Sequence, residues 1–340
     1  MENLGKVEKV KYFLSYATQI PLQKPKMINF GLTHRCNLRC KICETWEANP
    51  KLDEELTTNE IKKVISQIAE WGEIGISFAG GEPLVRKDDL LECIKHANAK
   101  GLKTHVTTNG TMINKKVADQ LARSGLDFLQ ISLDGATEKT NDYIRGRNTF
   151  KKTMQAAKNI LKSKKENNPS LKLSFTTVIT NKNVDELSGI LKIAETLGMH
   201  EVAFNPYNLD TSYTKNKSYD NEFWVARENI EKLENVCKEL AEHKKNRGNI
   251  GTPEVTLRLL PEYFNKKNEF RNGLCLAGYS YMYVKPNGEV DVCGKGPSLS
   301  VKKMSIKQIW YSLTFLKTRL KITRCKKHCL MLCFPRIRII

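Results

Sequence analysis

Six short apolar runs recur along the first two thirds of the chain, and helix-period segments lie between them. The runs begin at Met27 ("MINFGL"), Ile74 ("IGISFAGGEP"), Lys103 ("KTHVTTNG"), Phe128 ("FLQISLDG"), Leu171 ("LKLSFTTVIT") and Glu201 ("EVAFNPYN"). Their length and their β-branched and aromatic content mark them as strands. The segments "NEIKKVISQIAEWG", "DDLLECIKHANAKG", "KKVADQLARSG", "KKTMQAAKNILKSKK" and "VDELSGILKIAETLG" carry the helical period. Four of them end at Gly72, Gly101, Gly125 and Gly198, where a helix turning left-handed wants glycine. Strands alternating with helices predict βα units and a parallel sheet. Six units predict an α/β fold, a partial (βα)6 TIM-like barrel. Such sheets place their site at the carboxyl ends of the strands. The turn-rich pieces "THRCNLRC", "AGGEP", "TTNG" and "SLDG" each follow a strand, so they are expected on one rim.

The flanks read differently. Residues 1–24 suggest a short amphipathic helix and an extended lead-in to the barrel core, 25–212. An adapter, 213–270, is polar at first and then helical ("FWVARENIEKLENVCKELAEHKK"). Residues 271–340 are expected to form a small cysteine-rich β-hairpin/helix domain. In it "CLAGYSYMYVKPNGEVDVC" alternates around a Pro-Asn-Gly turn, the mark of a hairpin. An amphipathic helix follows, with a stripe of Ile306, Ile309, Trp310, Leu313, Leu316 and Leu320. The stripe is read as packing on the barrel in preference to anchoring in a membrane.

Composition bounds the class. A chain of 340 residues that is 40% hydrophobic can bury a large core beside a smaller one. It has no apolar run of about 18 residues, so no transmembrane segment is expected. It shows no secretory signal, so the cytoplasm is expected, where thiols stay reduced. Ten cysteines there read as ligands more readily than as bridges. The net charge of +19 admits nucleic acid, an acidic lipid surface or an acidic substrate. Its lysines are scattered over helix faces, which favours a solvated basic surface, and nucleic acid is not the favoured partner. Residues 301–340 hold no Asp or Glu.

The stretch "THRCNLRCKIC" puts Cys36, Cys40 and Cys43 in a C-x3-C-x2-C pattern. A 4Fe–4S cubane takes four thiolates, one per iron, so three leave one iron with an open coordination position. Structural zinc would need a fourth ligand, and His34 stands too close to Cys36 for an ordinary zinc-finger spacing.

The pattern, just after a first strand, resembles the hallmark of the radical S-adenosylmethionine (radical SAM) superfamily. Cys36, Cys40 and Cys43 match its cluster ligands, with Ile42 where an aromatic is frequent. Gly80, Gly81, Glu82 and Pro83 match the segment that binds the methionine amino group. Ser132 and Asp134 of "SLDG" match a segment near the cofactor ribose and carboxylate, and Arg145 is similar to an arginine near that carboxylate. Asn109, at the third strand end, is a further candidate for the ribose or substrate. The spacing of Cys275, Gly288 and Cys293 resembles the opening of SPASM and twitch extensions. With Cys325, Cys329 and Cys333 it implies one auxiliary 4Fe–4S cluster, with two as the lesser reading because five thiolates cannot fully ligate both. Cys93 and Cys237, inside helical runs, are read as buried.

The resemblance implies an oxidoreductase or maturase. It would cleave S-adenosylmethionine reductively to a 5′-deoxyadenosyl radical, which abstracts hydrogen from a peptide, protein or small polar substrate. A reductant such as ferredoxin or flavodoxin would supply the electron. An RNA-modifying enzyme is a second reading, suggested by the charge. A non-catalytic iron–sulfur electron carrier is a third, which leaves "GGEP" and "SLDG" unexplained.

Overall fold

The computed structural model describes residues 5–47, 54–209, 218–265, 274–294, 296, 299–326, 328–330 and 336–337. In chain order these form α1 (Lys6–Thr18), β1 (Met27–Thr33), α2 (Thr58–Trp71), β2 (Gly75–Gly80), α3 (Lys87–Ala99), β3 (Thr104–Thr108) and α4 (Lys115–Arg123). Next come β4 (Phe128–Ser132), α5 (Glu138–Arg145), α6 (Thr149–Asn167), β5 (Lys172–Ile179), α7 (Leu187–Leu197), β6 (Glu201–Pro206), α8 (Ile230–Arg247) and α9 (Glu254–Asn265). The C-terminal part adds β7 (Leu274–Cys275), β8 (Tyr281–Val284), β9 (Val290–Asp291), α10 (Ile306–Tyr311), α11 (Leu313–Thr323) and β10 (Arg336–Ile337).

The six expected strands are all present and lie in the order β6-β5-β4-β3-β2-β1, each parallel to its neighbour. Alternation decides their two faces. Ile28, Phe30, Ile76, Phe78, Val106, Leu129, Phe175 and Phe204 are fully buried in the main hydrophobic core. The opposite face is polar: Asn29, Ser77 and His105 stand side by side in register, as do Thr107, Gln130 and Ser174. Asn205 Nδ2 donates to Thr176 Oγ1 across this face at 2.9 Å.

The β8–β9 hairpin forms as expected, but the sheet runs across the boundary expected near residue 271. Strand β8 pairs parallel with β1, Met27 against Tyr281 and Phe30 against Val284. Without β8, β1 would be an open edge with unpaired backbone groups. Tyr281 also accepts from Asn29 Nδ2 at 2.8 Å, so the hairpin contributes to the inner face.

Three helical features differ from the sequence reading. Helices α5 and α9 were not expected, the first being short and polar and the second containing Pro261. The expected C-terminal helix is two helices. Ser312 is extended and its hydroxyl caps α11 by accepting from Phe315 N. The break rotates the stripe: Ile306, Ile309 and Trp310 stay buried, Leu313 is 78% exposed, and Phe315, Arg319 and Ile322 turn inward.

Candidate active site at the carboxyl ends of the strands

The cysteine loop leaves β1 at Thr33 and is fastened on both sides. Gly81 N donates to Thr33 O at 2.7 Å, and Glu82 N donates to Arg35 O at 2.8 Å. A Cβ on Gly80 would stand 2.2 Å from Thr33 O, and one on Gly81 2.2 Å from Arg35 O and 2.4 Å from His34 O. These glycines therefore make room for the backbone of the loop itself. On the other side, Lys41 N donates to Ile144 O at 2.9 Å, and Cys40 Sγ lies 3.6 Å from Arg145 O. Helix α5, invisible in the sequence, is the second jaw of this clamp. From β3, Asn109 Nδ2 donates to Asn37 Oδ1 at 2.9 Å and approaches Cys36 Sγ at 4.0 Å. Arg35 pairs with Glu55 at 3.0 Å at the foot of the loop.

Glu82 is wholly buried. Its Oε1 accepts from Thr108 Oγ1 at 2.7 Å and from Leu84 N at 3.0 Å, and its Oε2 accepts from Asn109 N at 2.8 Å. Burial pushes its pKa up, and the three donors oppose that. Both oxygens serve the protein: the carboxylate ties the end of β2 to the end of β3. Pro83, also buried, opens the single helical turn that follows.

Asp134 and Arg145 form a close buried pair, Oδ2 to Nε 2.7 Å. Val178 N donates to Asp134 Oδ1 at 2.7 Å, so the carboxylate also reaches β5. Burial works against the Arg145 charge, but Asp134 and then Cys40 outweigh it, and its pKa moves up. Ser132 is buried at the end of β4, in register with Thr176. Thus Gly80, Gly81, Glu82, Pro83, Asn109, Ser132, Asp134 and Arg145 all sit on the rim that carries the cysteine loop. Asn37, Arg35 and Glu55 belong to the same assembly and were missed. The first two lie inside the quoted motif, the one signal that pointed to them.

Cys36, Cys40 and Cys43 are half-buried neighbours whose charges act on one another. Burial pushes the Cys36 thiol up and the Cys40 thiol up to about 11. A metal overrides such shifts, because a coordinating thiol is deprotonated. Among the described residues no three Cys, His, Asp or Glu side chains converge as ligands of a single ion. A cubane takes one thiolate per iron and does not require that convergence. Three accessible thiols on one clamped loop are a donor set that fits it.

The C-terminal cysteines come from several elements of the fold. Cys275 lies in β7, paired with Arg336 of β10. Cys293 follows β9 with a φ of 55°, and Cys325 follows α11. Cys329 Sγ accepts from Asn208 Nδ2 at 3.5 Å, two residues past β6, which brings it to the carboxyl end of the sheet. Cys333 lies outside the described residues. Beside Cys329, His328 is buried; its Nε2 stands 2.8 Å from Tyr263 O and its ring lies among Tyr219, Trp224 and Tyr263. Cys93 and Cys237 are buried as expected, and burial pushes each thiol up to about 12.

Residues 31–194 match the sequence profile of the Radical SAM superfamily. Fe-coproporphyrin III synthase of Methanosarcina barkeri is 34% identical over 190 residues, which are 56% of this chain and 46% of that protein. PqqA peptide cyclase of Bradyrhizobium diazoefficiens is 28% identical over 286 residues, 81% of this chain and 68% of that one. The chain thus spans about half the length of the first relative and 68% of the second. The crystal structure of Streptococcus suis SuiB bound to precursor peptide SuiA matches with a TM-score of 0.68 at 19% identity, covering 92% of this chain and 70% of that chain. At that identity the likeness bears on the fold alone. The superfamily implies a 4Fe–4S cluster and S-adenosylmethionine.

Proposed function

Because the chain carries a radical SAM domain over residues 31–194, we propose that it is an enzyme that modifies a peptide or protein substrate by radical chemistry. Cys36, Cys40 and Cys43 would hold the 4Fe–4S cluster, and the rim from Gly80 to Arg145 would hold S-adenosylmethionine. When bound, the pair supplies reductive cleavage of the sulfonium C–S bond and a 5′-deoxyadenosyl radical that takes a substrate hydrogen. The residues of this chain position that chemistry. The Gly81–Thr33, Glu82–Arg35 and Asn109–Asn37 bonds fix the end of β1 and the cysteine loop after it to the ends of β2 and β3. The Asp134–Arg145 pair sets a buried cation beside Cys40. The observation that carries the reading is this clamp: a tied-down loop presenting three half-buried thiols at the carboxyl rim of a parallel sheet.

The substrate class draws support from the peptide named in PqqA peptide cyclase and from the precursor peptide in the SuiB structure. The first relative's name points instead to an iron porphyrin. The inner face of the sheet, with Asn29, His105, Gln130, Thr176 and Asn205, is polar and suits a peptide better than the broad apolar face of a macrocycle. Within 271–340 we place one auxiliary 4Fe–4S cluster on Cys275, Cys293 and two of Cys325, Cys329 and Cys333. The Asn208–Cys329 contact supports it, because it sets that segment beside the rim. An external reductant such as ferredoxin or flavodoxin would deliver the electron.

The test is the Cys36→Ala/Cys40→Ala/Cys43→Ala variant, compared with the wild type after anaerobic reconstitution. It should lose about four irons per chain and should form no 5′-deoxyadenosine with dithionite. Unchanged iron and unchanged cofactor cleavage would end the reading.

A further inference from the structure

Helix α1 is amphipathic in the reverse of the usual sense. Its Tyr12 and Ser15 are buried, with Tyr12 packed against Leu276, Tyr279 and Tyr16. Gln19, just past its end, accepts from Tyr279 OH at 2.6 Å, and Tyr16 OH donates to Thr323 O at 3.4 Å. The polar and tyrosine side of the helix therefore faces the protein. Its apolar side faces out: Val7, Val10, Phe13 and Leu14 are 69%, 56%, 48% and 43% exposed. With exposed Ala17 these positions form one stripe, covering about a third of the circumference at about 100° per residue. Ile20 and Leu22, also exposed, prolong it beyond the helix. Among the described residues, six of the eleven exposed large hydrophobic side chains fall between residues 7 and 22, so the patch is a local feature and not the usual scatter.

The charges around the stripe say what covers it. Lys9 and Lys11 are exposed on its two flanks, and Lys24 is exposed just beyond Leu22. Residues 5–26 hold five lysines and a single acid, Glu8, which is tied to Lys26 at 2.9 Å. An apolar stripe edged by lysines is the form of a helix lying in a bilayer interface, with its apolar side among the acyl chains and its lysines at anionic headgroups. A second copy of the chain is disfavoured by the same charges, which would bring Lys9 and Lys11 against their own copies. No described helix is long and apolar enough to cross a membrane, and lying on one does not require that.

We propose that the exposed face of α1 docks this protein on an anionic lipid surface. The net charge of +19 supplies long-range attraction, and the stripe supplies the short-range hold. This surface is separate from the cysteine loop and does not depend on the catalytic reading.

The test is co-sedimentation of the full chain, anaerobically reconstituted with iron and sulfide, with vesicles. Two compositions serve: phosphatidylcholine mixed with phosphatidylglycerol, and phosphatidylcholine alone. Binding is expected to the anionic vesicles only and should weaken as salt is raised. Phe13→Glu/Leu14→Glu should lower it about tenfold, and Lys9→Glu/Lys11→Glu should lower it comparably. Both variants should keep the wild-type melting temperature and iron content, since the side chains concerned are exposed. Failure of the wild type to bind, equal binding to both vesicle types, or full binding by Phe13→Glu/Leu14→Glu would overturn the proposal. So would a dimer in sedimentation velocity that this variant abolishes, because a second copy would then be the occupant.

Discussion

Glu82 and Asn109, on neighbouring strand ends, are joined by a 2.8 Å bond from the Asn109 N–H to the buried Glu82 carboxylate, and the Asn109 side chain then reaches Asn37 in the cysteine loop. The acid that the sequence assigns to a ligand is thus the first link in a chain that ends beside Cys36. In Glu82→Gln one of the two carboxylate oxygens becomes an NH2 group, which would face a donor whichever way the amide turns. A stability loss of about 2–3 kcal/mol is expected, together with lower iron retention after reconstitution. Urea unfolding and an iron assay check it. Wild-type stability with normal iron would show that the link carries nothing.

The glycines before Glu82 give a second expectation. A methyl on Gly81 meets two carbonyls of the loop at 2.2 and 2.4 Å, and carbonyls of a fastened backbone cannot swing aside as a side-chain tip can. Gly81→Ala should displace the cysteine loop and destabilise the fold by about 1–3 kcal/mol. Thiol labelling of the iron-free protein is the direct check. Cys36 and Cys43 should react faster in the variant than in the wild type, and equal rates would refute the steric argument.

The buried pair of Asp134 and Arg145 should behave as one unit. Removing one partner strands a charge and costs about 3–5 kcal/mol. Asp134→Asn keeps an acceptor for Val178 N but loses the counter-charge for Arg145. In a double-mutant cycle, Asp134→Asn with Arg145→Met should cost much less than the sum of the two single changes. Strict additivity would mean that the pair is not coupled.

Much of this architecture was legible because it is local. Strand runs, glycine stops and the cysteine spacing all lie within about ten residues, where backbone preference and periodicity act. What stayed hidden is either non-local or locally contradictory. The pairing of Phe30 with Val284 joins segments far apart in sequence and is fixed by a vacant sheet edge. Helix α5 has too few apolar positions to announce itself, yet Ile144 O holds Lys41. Helix α9 was obscured by Pro261. Leu313 satisfies a helical stripe on paper, but Ser312 ends one helix and caps the next, so the stripe never forms as one. Burial also decides role: nothing in "GGEP" says that both Glu82 oxygens accept hydrogen bonds from neighbouring strand ends.

His105 supplies a pH signature. It lies on the inner face of the sheet, its ring edge-on to Phe128 at 4.5 Å, and its Nε2 is buried with no hydrogen-bond partner among the described residues. Burial lowers its pKa from 6.5 to about 4, so it is neutral in the folded protein. In the unfolded chain it takes up a proton below about 6.5. The unfolded state therefore binds more protons between the two values, and stability falls as pH drops through that window. The full loss is about 3 kcal/mol at 1.36 kcal/mol per unit. Urea unfolding of the wild type and of His105→Gln from pH 7 to pH 4 should show a shallower decline in the variant. Parallel curves would mean that the histidine is already solvated in the fold.

The auxiliary cluster is the prediction with most at stake for function. If Cys275, Cys293 and two of Cys325, Cys329 and Cys333 hold a cubane, the reconstituted protein should contain about eight irons, and Cys36→Ala/Cys40→Ala/Cys43→Ala should keep about four. Cys275→Ala/Cys293→Ala should then lose about four and still cleave S-adenosylmethionine without substrate, because the rim residues that would bind it lie elsewhere in the sheet. Two effects of that variant need separating, since the Cys275 and Cys293 side chains also pack against the hydrophobic core and their loss disturbs packing as well as ligation. Cys329→Ser distinguishes them: Asn208 can donate to a hydroxyl as it does to the thiol, so the packing survives while a preferred iron ligand is removed. A second-cluster signal altered in Cys329→Ser at unchanged melting temperature supports ligation by Cys329, whereas an unaltered signal assigns that ligand to another cysteine. A wild-type iron content near four, with none left in Cys36→Ala/Cys40→Ala/Cys43→Ala, would make the C-terminal cysteines structural thiols and leave a single cluster on the loop that Glu82 and Asn109 hold in place.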